Sequence, residues 1–293
     1  MSWRSVADLV GTDDGAQIAI LGVPMEAGSV TPGRCDLAPG AIRKAMRRFS
    51  TYDVESRTAL VLPVRDKGDL PVRGIMPAAG FETIRNAVED CTDGHALTMV
   101  LGGNNALTRP AAHGLGLALD RVGLITLDAH FDLRETDQGL LNGNPIRALL
   151  EDGLPGRNIC QVGLAPFANT AKMHGDALDA GIGIWTIADC RTRGIEPILQ
   201  EALARIGHVE TIMVDFDIDV IDRSQCPGAP GARPGGMPVD MFFRAARRLA
   251  AEPRVKLVDL TEFDPSLDQG DITALTAGRW VCEVLAGFQA ART

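Results

Sequence analysis

The chain is short of positive charge. Its 29 Lys and Arg are outnumbered by 38 Asp and Glu, for a formal net charge of −9. That deficit excludes nucleic-acid binders that work through a basic face. The six cysteines, Cys35, Cys91, Cys160, Cys190, Cys226 and Cys282, include no CxxC pair. They read as reduced, mostly buried thiols of a cytoplasmic protein. Cys226 lies near an acidic cluster, where it reads as a small loop residue or, alternatively, as lining a site. No apolar run approaches the length of a membrane span. The opening Met1-Ser-Trp-Arg-Ser-Val lacks the apolar region of a secretory leader. No stretch rich in Gly, Ser or Pro marks a linker, so one domain over residues 1–293 is expected.

What is present is an ordinary globular composition, 45% apolar and 23% charged, on a chain long enough to bury a sizeable core. Short apolar runs alternate with amphipathic helical patterns. Strands are expected at 17–23, 96–101, 122–127, 158–162, 183–186, 209–214 and 255–260. Helices are expected at 39–49, 81–88, 109–119, 145–150, 195–206, 238–251 and 272–289. Arg43, Lys44, Arg47 and Arg48 would give the first helix a basic exposed face. Such alternation builds an α/β fold, a mainly parallel central sheet covered by helices on both faces. The Gly/Pro-rich stretch 227–238 reads as an ordered loop.

In open parallel sheets, ligands bind at the carboxyl ends of the strands. Two strands here end in alternating acids. The run 122–127 is followed by Asp128-Ala-His130-Phe-Asp132-Leu-Arg134, and the run 209–214 by Asp215, Asp217, Asp219 and Asp222. A lone Asp-x-His-x-Asp is as well read as a turn or capping cluster. Gathering several like charges unpaired is costly, so two such clusters together point to one shared cation site. Carboxylates with an imidazole suit Mn, Zn, Fe or Ni better than Ca or Mg. Asn104-Asn105 and Glu262 fall at two further strand ends.

These residues, in this order, resemble the ureohydrolases: arginase, agmatinase and formimidoylglutamase. Gly102-Gly103-Asn104-Asn105 stands where that family has Gly-Gly-Asp-His. Asp128-Ala-His130-Phe-Asp132 matches its Asp-Ala-His-x-Asp, and Asp215-Phe-Asp217-Ile-Asp219-Val-Ile-Asp222 its Ser-x-Asp-x-Asp-x-x-Asp, with Asp215 in the place of Ser. Glu262, in Thr261-Glu-Phe-Asp-Pro265, matches a late glutamate. The resemblance runs from about residue 17 to 289 and implies an arginase-like three-layer αβα fold, a cytoplasmic homo-oligomer (trimer or hexamer) and a Mn-dependent hydrolase of a small amidine or guanidine. Asn142 stands where arginases and agmatinases have His; in this detail the chain is most similar to formimidoylglutamases, which convert N-formimidoyl-L-glutamate to glutamate and formamide.

The resemblance also implies roles. Asp128 and Asp217 would be shared by two ions. Asp132 and Asn105 would complete one site, and His130 and Asp219 the other, with the site that depends on Asn105 weakened because a neutral amide replaces an imidazole. Asp132 would hold or deprotonate a nucleophile made available at neutral pH by the metal, and Glu262 would pair with the amidinium. Arg134, Arg147 and Asn142 would bind substrate, since Arg suits the bidentate pairing of carboxylates; ion pairing with neighbouring acids is an equal reading for either Arg. Two other functions stay open: hydrolysis of a guanidino compound, and a degenerate member that binds without turnover.

Overall fold

The computed structural model describes residues 3–13 and 15–292; Met1 and Ser2, part of the leader reading above, lie outside the described residues. The strands are β1 (Val10–Gly11), β2 (Ile18–Val23), β3 (Tyr52–Asp53), β4 (Thr58–Ala59), β5 (Val64–Asp69), β6 (Leu97–Gly102), β7 (Val122–Leu127), β8 (Ile159–Leu164), β9 (Gly183–Thr186), β10 (Thr211–Asp217) and β11 (Val255–Thr261). The helices are α1 (Ala38–Met46), α2 (Pro77–Gly94), α3 (Thr108–His113), α4 (Pro145–Glu151), α5 (Ala171–Ala180), α6 (Ile187–Arg193), α7 (Ile195–Arg205), α8 (Val239–Ala250) and α9 (Ile272–Ala290).

Among the described residues nine strands form one sheet in the order β1-β5-β2-β6-β11-β10-β7-β8-β9, and β3 and β4 form a separate antiparallel pair. Every pairing in the large sheet is parallel. β2, β6, β7, β8 and β10 are buried throughout, as expected of strands covered on both faces. One core joins α1, α6, α7, α8 and α9 to the sheet through residues such as Ile42, Ile198, Phe242 and Trp280. The other joins α2, α3, α4 and α5 through Ile84, Ala111, Leu149 and Ala177. This is the three-layer αβα architecture.

The expected strands and helices are present, with shifted ends. β5 was not expected, because Val64-Arg-Asp-Lys-Gly-Asp69 carries almost no apolar signal; its neighbours in the sheet hold it. Arg43 turns from solvent to this strand and pairs with Asp66 at 2.7 Å, so the basic face of α1 is narrower than the sequence suggests. α3 is shorter than expected, since Gly114 closes it and Gly116 takes a left-handed turn (φ 68°). α5 and α6 were also missed. α5 buries only Ala177, too little apolar periodicity to mark a helix. All six cysteines are free and five are buried. No helix among the described residues is long and apolar enough to cross a membrane.

What the topology does for function lies in register. β6, β11, β10 and β7 are consecutive in the sheet. Leu101, Leu260, Phe216 and Leu127 align across them. One step beyond that row come Gly102, Thr261, Asp217 and Asp128. Four adjoining strands therefore end at one level of one sheet edge, where Asp128, Asp217 and Thr261 stand side by side with Gly102.

Candidate active site

A cavity of about 260 Å³ opens at that edge, lined by acids on its floor (Asp132, Asp217, Asp219 and Glu262, with His130) and by Arg134, Asn142, Asn169, Gly231 and Arg233 among others. Asp128, His130 and Asp219 each bring a ligand atom within 4.8 Å of the others. His130 Nδ1 lies 3.1 Å from Asp219 Oδ2 and 3.4 Å from Asp128 Oδ1. Backbone amides fix two of the acids: His130 N donates to Asp128 Oδ1 at 2.7 Å, and Asp219 N to Asp217 Oδ1 at 2.9 Å.

The electrostatics are those of a cation site. Burial pushes the Asp128 carboxyl up to about 6. Burial, reinforced by the Asp128 charge, pushes Asp132 well above the usual carboxylate range; burial and the Asp219 charge do the same to Asp217. Burial also raises Asp219, but the His130 charge outweighs it and leaves that carboxyl below its ordinary value. The Asp219 charge in turn raises His130 to about 12. Protons, in other words, take the place of positive charge. Two details fit a metal ion. Asp219 Oδ1 is buried with no hydrogen-bond partner. Gly231 leaves a cradle beside the group: a Cβ there would lie 2.0 Å from Asp219 Oδ2 and 3.1 Å from His130 Cε1. Asp128, His130 and Asp219, with Asp217 adjoining, are the residues that would hold it.

Asn105 does not present a ligand atom to this group. Its Nδ2 donates to Asp132 Oδ2 at 2.6 Å, while its Oδ1 accepts from Thr108 Oγ1 at 2.7 Å. The expected carbonyl ligand is thus turned into the core, and the amide acts as a hydrogen-bond donor to the acid it was expected to assist. Asn104 is spent on loop structure, donating to Ala27 O at 2.9 Å and Ser29 Oγ at 2.8 Å.

Asp132 and Glu262 both have left-handed backbone, at φ 53° and 61°, two of five such non-glycine residues among those described. Strain of this kind is retained where surroundings impose it, and functional sites are where it concentrates. Glu262 Oε1 accepts from Asn105 N at 2.7 Å and from Asn142 Nδ2 at 3.0 Å. Burial nonetheless raises its carboxyl to about 7. Asn142 also receives Val30 N on its Oδ1 at 2.8 Å. It therefore ties the loop after β2 to the glutamate rather than facing the cavity with a free amide.

The two arginines expected to bind substrate part company. Arg134 lines the cavity. Arg147 does not: it donates to Leu133 O and pairs with Asp176, so its place is in holding α4, α5 and the metal-site loop together. Of the second acidic run, Asp222 caps the Pro/Gly loop, accepting from Ser224 N at 2.9 Å and Gly235 N at 2.6 Å. Asp215 is buried beneath the site, in register with Asp259, and neither of its oxygens receives a hydrogen bond. Burial and the Asp259 charge push it well above its ordinary value, and burial raises Asp259 to about 7. Cys226 is buried and does not line the cavity.

Two lining residues escape sequence reasoning. Asn169 accepts from Phe131 N at 2.8 Å and donates to Ala129 O at 2.9 Å, clamping the backbone on both sides of His130; nothing in the loop Pro166-Phe-Ala-Asn169 signals this. Arg233 sits in the Gly/Pro loop, where its only signal is being the one charged residue between Pro227 and Pro238.

Comparison with known proteins agrees with the geometry. A sequence model of the arginase family matches residues 16–287. A formimidoylglutamase of Halalkalibacterium halodurans is 32% identical over 286 residues, covering 94% of this chain and 89% of that protein. The crystal structure of formimidoylglutamase from Bacillus subtilis superposes with a TM-score of 0.93 at 28% identity, covering 99% of this chain and 94% of that one. A Trypanosoma cruzi formiminoglutamase with Mn2+ shares the fold, with a TM-score of 0.90 at 22% identity over 98% of this chain and 99% of that one. The four adjoining strand ends, their acids and the matched residues lead to one conclusion: the chain belongs to the arginase family.

Proposed function

We propose that this protein is a metal-dependent hydrolase of a linear amidine C–N bond, acting on N-formimidoyl-L-glutamate to give formamide and glutamate. The observation that carries the reading is the polarity of one cavity: acids and an imidazole on its floor, and the Arg134 guanidinium, with no ion pair or side-chain hydrogen bond among the described residues, on its wall. An amidinium with carboxylates on its far side matches that order of charge. The similarity to formimidoylglutamases over nearly the whole chain supports the same substrate.

A bound divalent ion, with Mn the first choice given the Mn2+ of the Trypanosoma cruzi relative, would supply Lewis acidity that makes water nucleophilic at neutral pH. The protein's own groups do the rest. Glu262, as a carboxylate, pairs with the amidinium and orients its planar carbon, and the Asn142 side chain and the Asn105 backbone N–H hold Glu262 in place. Asp132 takes the proton of the attacking water and returns it to the departing glutamate nitrogen; Asn105 Nδ2 keeps its carboxylate aimed. The C–O bond forms as the bond from the amidine carbon to the glutamate nitrogen breaks, and formamide leaves with the other nitrogen. One domain over 1–293, a cytoplasmic location and a homo-oligomeric state belong to the same reading; the first rests on the absence of a linker, the second on the scattered free cysteines and the third on family resemblance. Release of formamide rather than urea from a panel of amidines and guanidines tests it.

A further inference from the structure

Arg134 and Arg233 come from different loops, one following β7 and the other following β10, yet both line the active-site cavity. Among the described residues neither guanidinium has an ion pair or hydrogen bond, although the chain holds 38 acids and Arg34, Arg43, Arg109, Arg147 and Arg247 are all paired with carboxylates. The loops are built to present them. A Cβ at Gly143 would lie 2.7 Å from Arg134 Cδ and 2.9 Å from its Nε, so glycine there makes room for the side chain. The carbonyl of Arg233 accepts from Arg223 N at 3.1 Å and Gly236 N at 3.3 Å, and Arg223 Nη1 donates to Ala229 O at 2.8 Å and Pro230 O at 3.1 Å. The backbone carrying Arg233 is therefore fixed while its charged end stays available.

We infer that Arg233 is the second arm of a carboxylate clamp and that Arg233 and Arg134 together select an amidine bearing two carboxylates. The inference rests on the proposed activity for its substrate class. One guanidinium binds one carboxylate in a bidentate pair; a glutamate-derived substrate carries two, one beside the reacting nitrogen and one at the end of the side chain. The same two cations repel a substrate that ends in an ammonium, as agmatine does, and so discriminate by repulsion as well as attraction.

Binding of N-formyl-L-glutamate to the metal-loaded protein, measured by calorimetry against N-formyl-L-norvaline, separates the clamp from the chemistry. The two ligands differ only in a terminal carboxylate against a methyl group. Arg233→Ala should weaken the dicarboxylate by about 10- to 100-fold and narrow its advantage over the norvaline ligand, Arg233→Lys should restore part of it, and the melting temperature should stay within a few degrees of wild type. No loss for the dicarboxylate in Arg233→Ala, or equal loss for both ligands in Arg233→Ala and in Arg134→Ala alike, overturns the clamp even if the wild type hydrolyses N-formimidoyl-L-glutamate. Selective loss with no turnover by the wild type upholds the clamp and rejects the proposed reaction.

Discussion

Asn105 Nδ2 donates to Asp132 Oδ2 at 2.6 Å. At the position where the family motif carries a metal-binding imidazole, this chain places a hydrogen-bond donor facing an acid. The amide cannot reverse without cost, because a flip would set its carbonyl oxygen against the Asp132 carboxylate, two acceptors facing each other, and would give up the hydrogen bond that Thr108 Oγ1 donates at 2.7 Å.

The metal count follows. Asp128, His130 and Asp219 offer one compact group, whereas the position that Asn105 and Asp132 would share has lost its imidazole. Under modest metal supply, plasma mass spectrometry should find about one ion per chain, since a neutral amide turned away from the site adds no affinity. Asn105→His should raise the count. Full occupancy by two ions in the wild type at the same metal concentration would contradict this.

The acids of the site also set a pH dependence for protein stripped of metal by a chelator. Asp128 is raised to about 6, and Asp259 and Glu262 to about 7. The folded chain then binds more protons than the unfolded one from roughly pH 4 to 7, so stability falls as pH rises through that window. His130, raised to about 12, adds stability that is complete below pH 6.5 and declines above it. Asp219, lowered, acts in the opposite sense and loses its contribution only below its ordinary value of 3.8. The melting temperature of stripped protein should therefore drop between pH 5 and pH 8. Added metal should restore most at the higher pH, where it no longer competes with bound protons.

Beneath the site, Asp215 stands in register with Asp259 and takes the place of a serine in the family motif. Two buried carboxyls in contact can share one proton but cannot both ionise cheaply. Asp215→Asn gives Asp259 a donor and removes a charge. It should stabilise the protein by about 1–3 kcal/mol at pH 8 and by less at pH 5, where the pair already holds its proton. Equal melting shifts at the two pH values would argue against a shared proton.

The arginines divide by role. Arg134→Ala should raise KM with little change in kcat, because a carboxylate clamp acts in ground and transition states alike. Arg147→Ala should lower the melting temperature with little change in KM, since its partners are Leu133 O and Asp176. Glu262→Gln should chiefly lower kcat through loss of amidinium orientation.

The contrast between Arg134 and Arg147 shows how much of the site was legible. Asp128, His130, Asp217 and Asp219 could be placed from sequence because each follows a buried apolar run, and strand periodicity carries such residues to the sheet edge. The order of β6, β11, β10 and β7 brings them together and could be anticipated only through family resemblance. For Arg147 the choice between substrate binding and ion pairing stayed open because Asp176, its partner, lies in α5, a helix with almost no apolar stripe to reveal it. β5 was invisible for the same reason. The orientation of Asn105 depends on Thr108, a contact that the residue type alone does not disclose. Arg233 and Asn169 lie in irregular loops, where no periodicity links position to direction.

The most direct test is to supply the purified protein with Mn2+ and N-formimidoyl-L-glutamate and to measure formamide and glutamate, with urea assayed in parallel from agmatine and guanidino acids. The account predicts equal amounts of formamide and glutamate, no urea, and loss of turnover with chelator or with Asp217→Ala. Urea from a guanidino compound, or no turnover of any amidine with Mn, Zn, Ni or Fe, would contradict it.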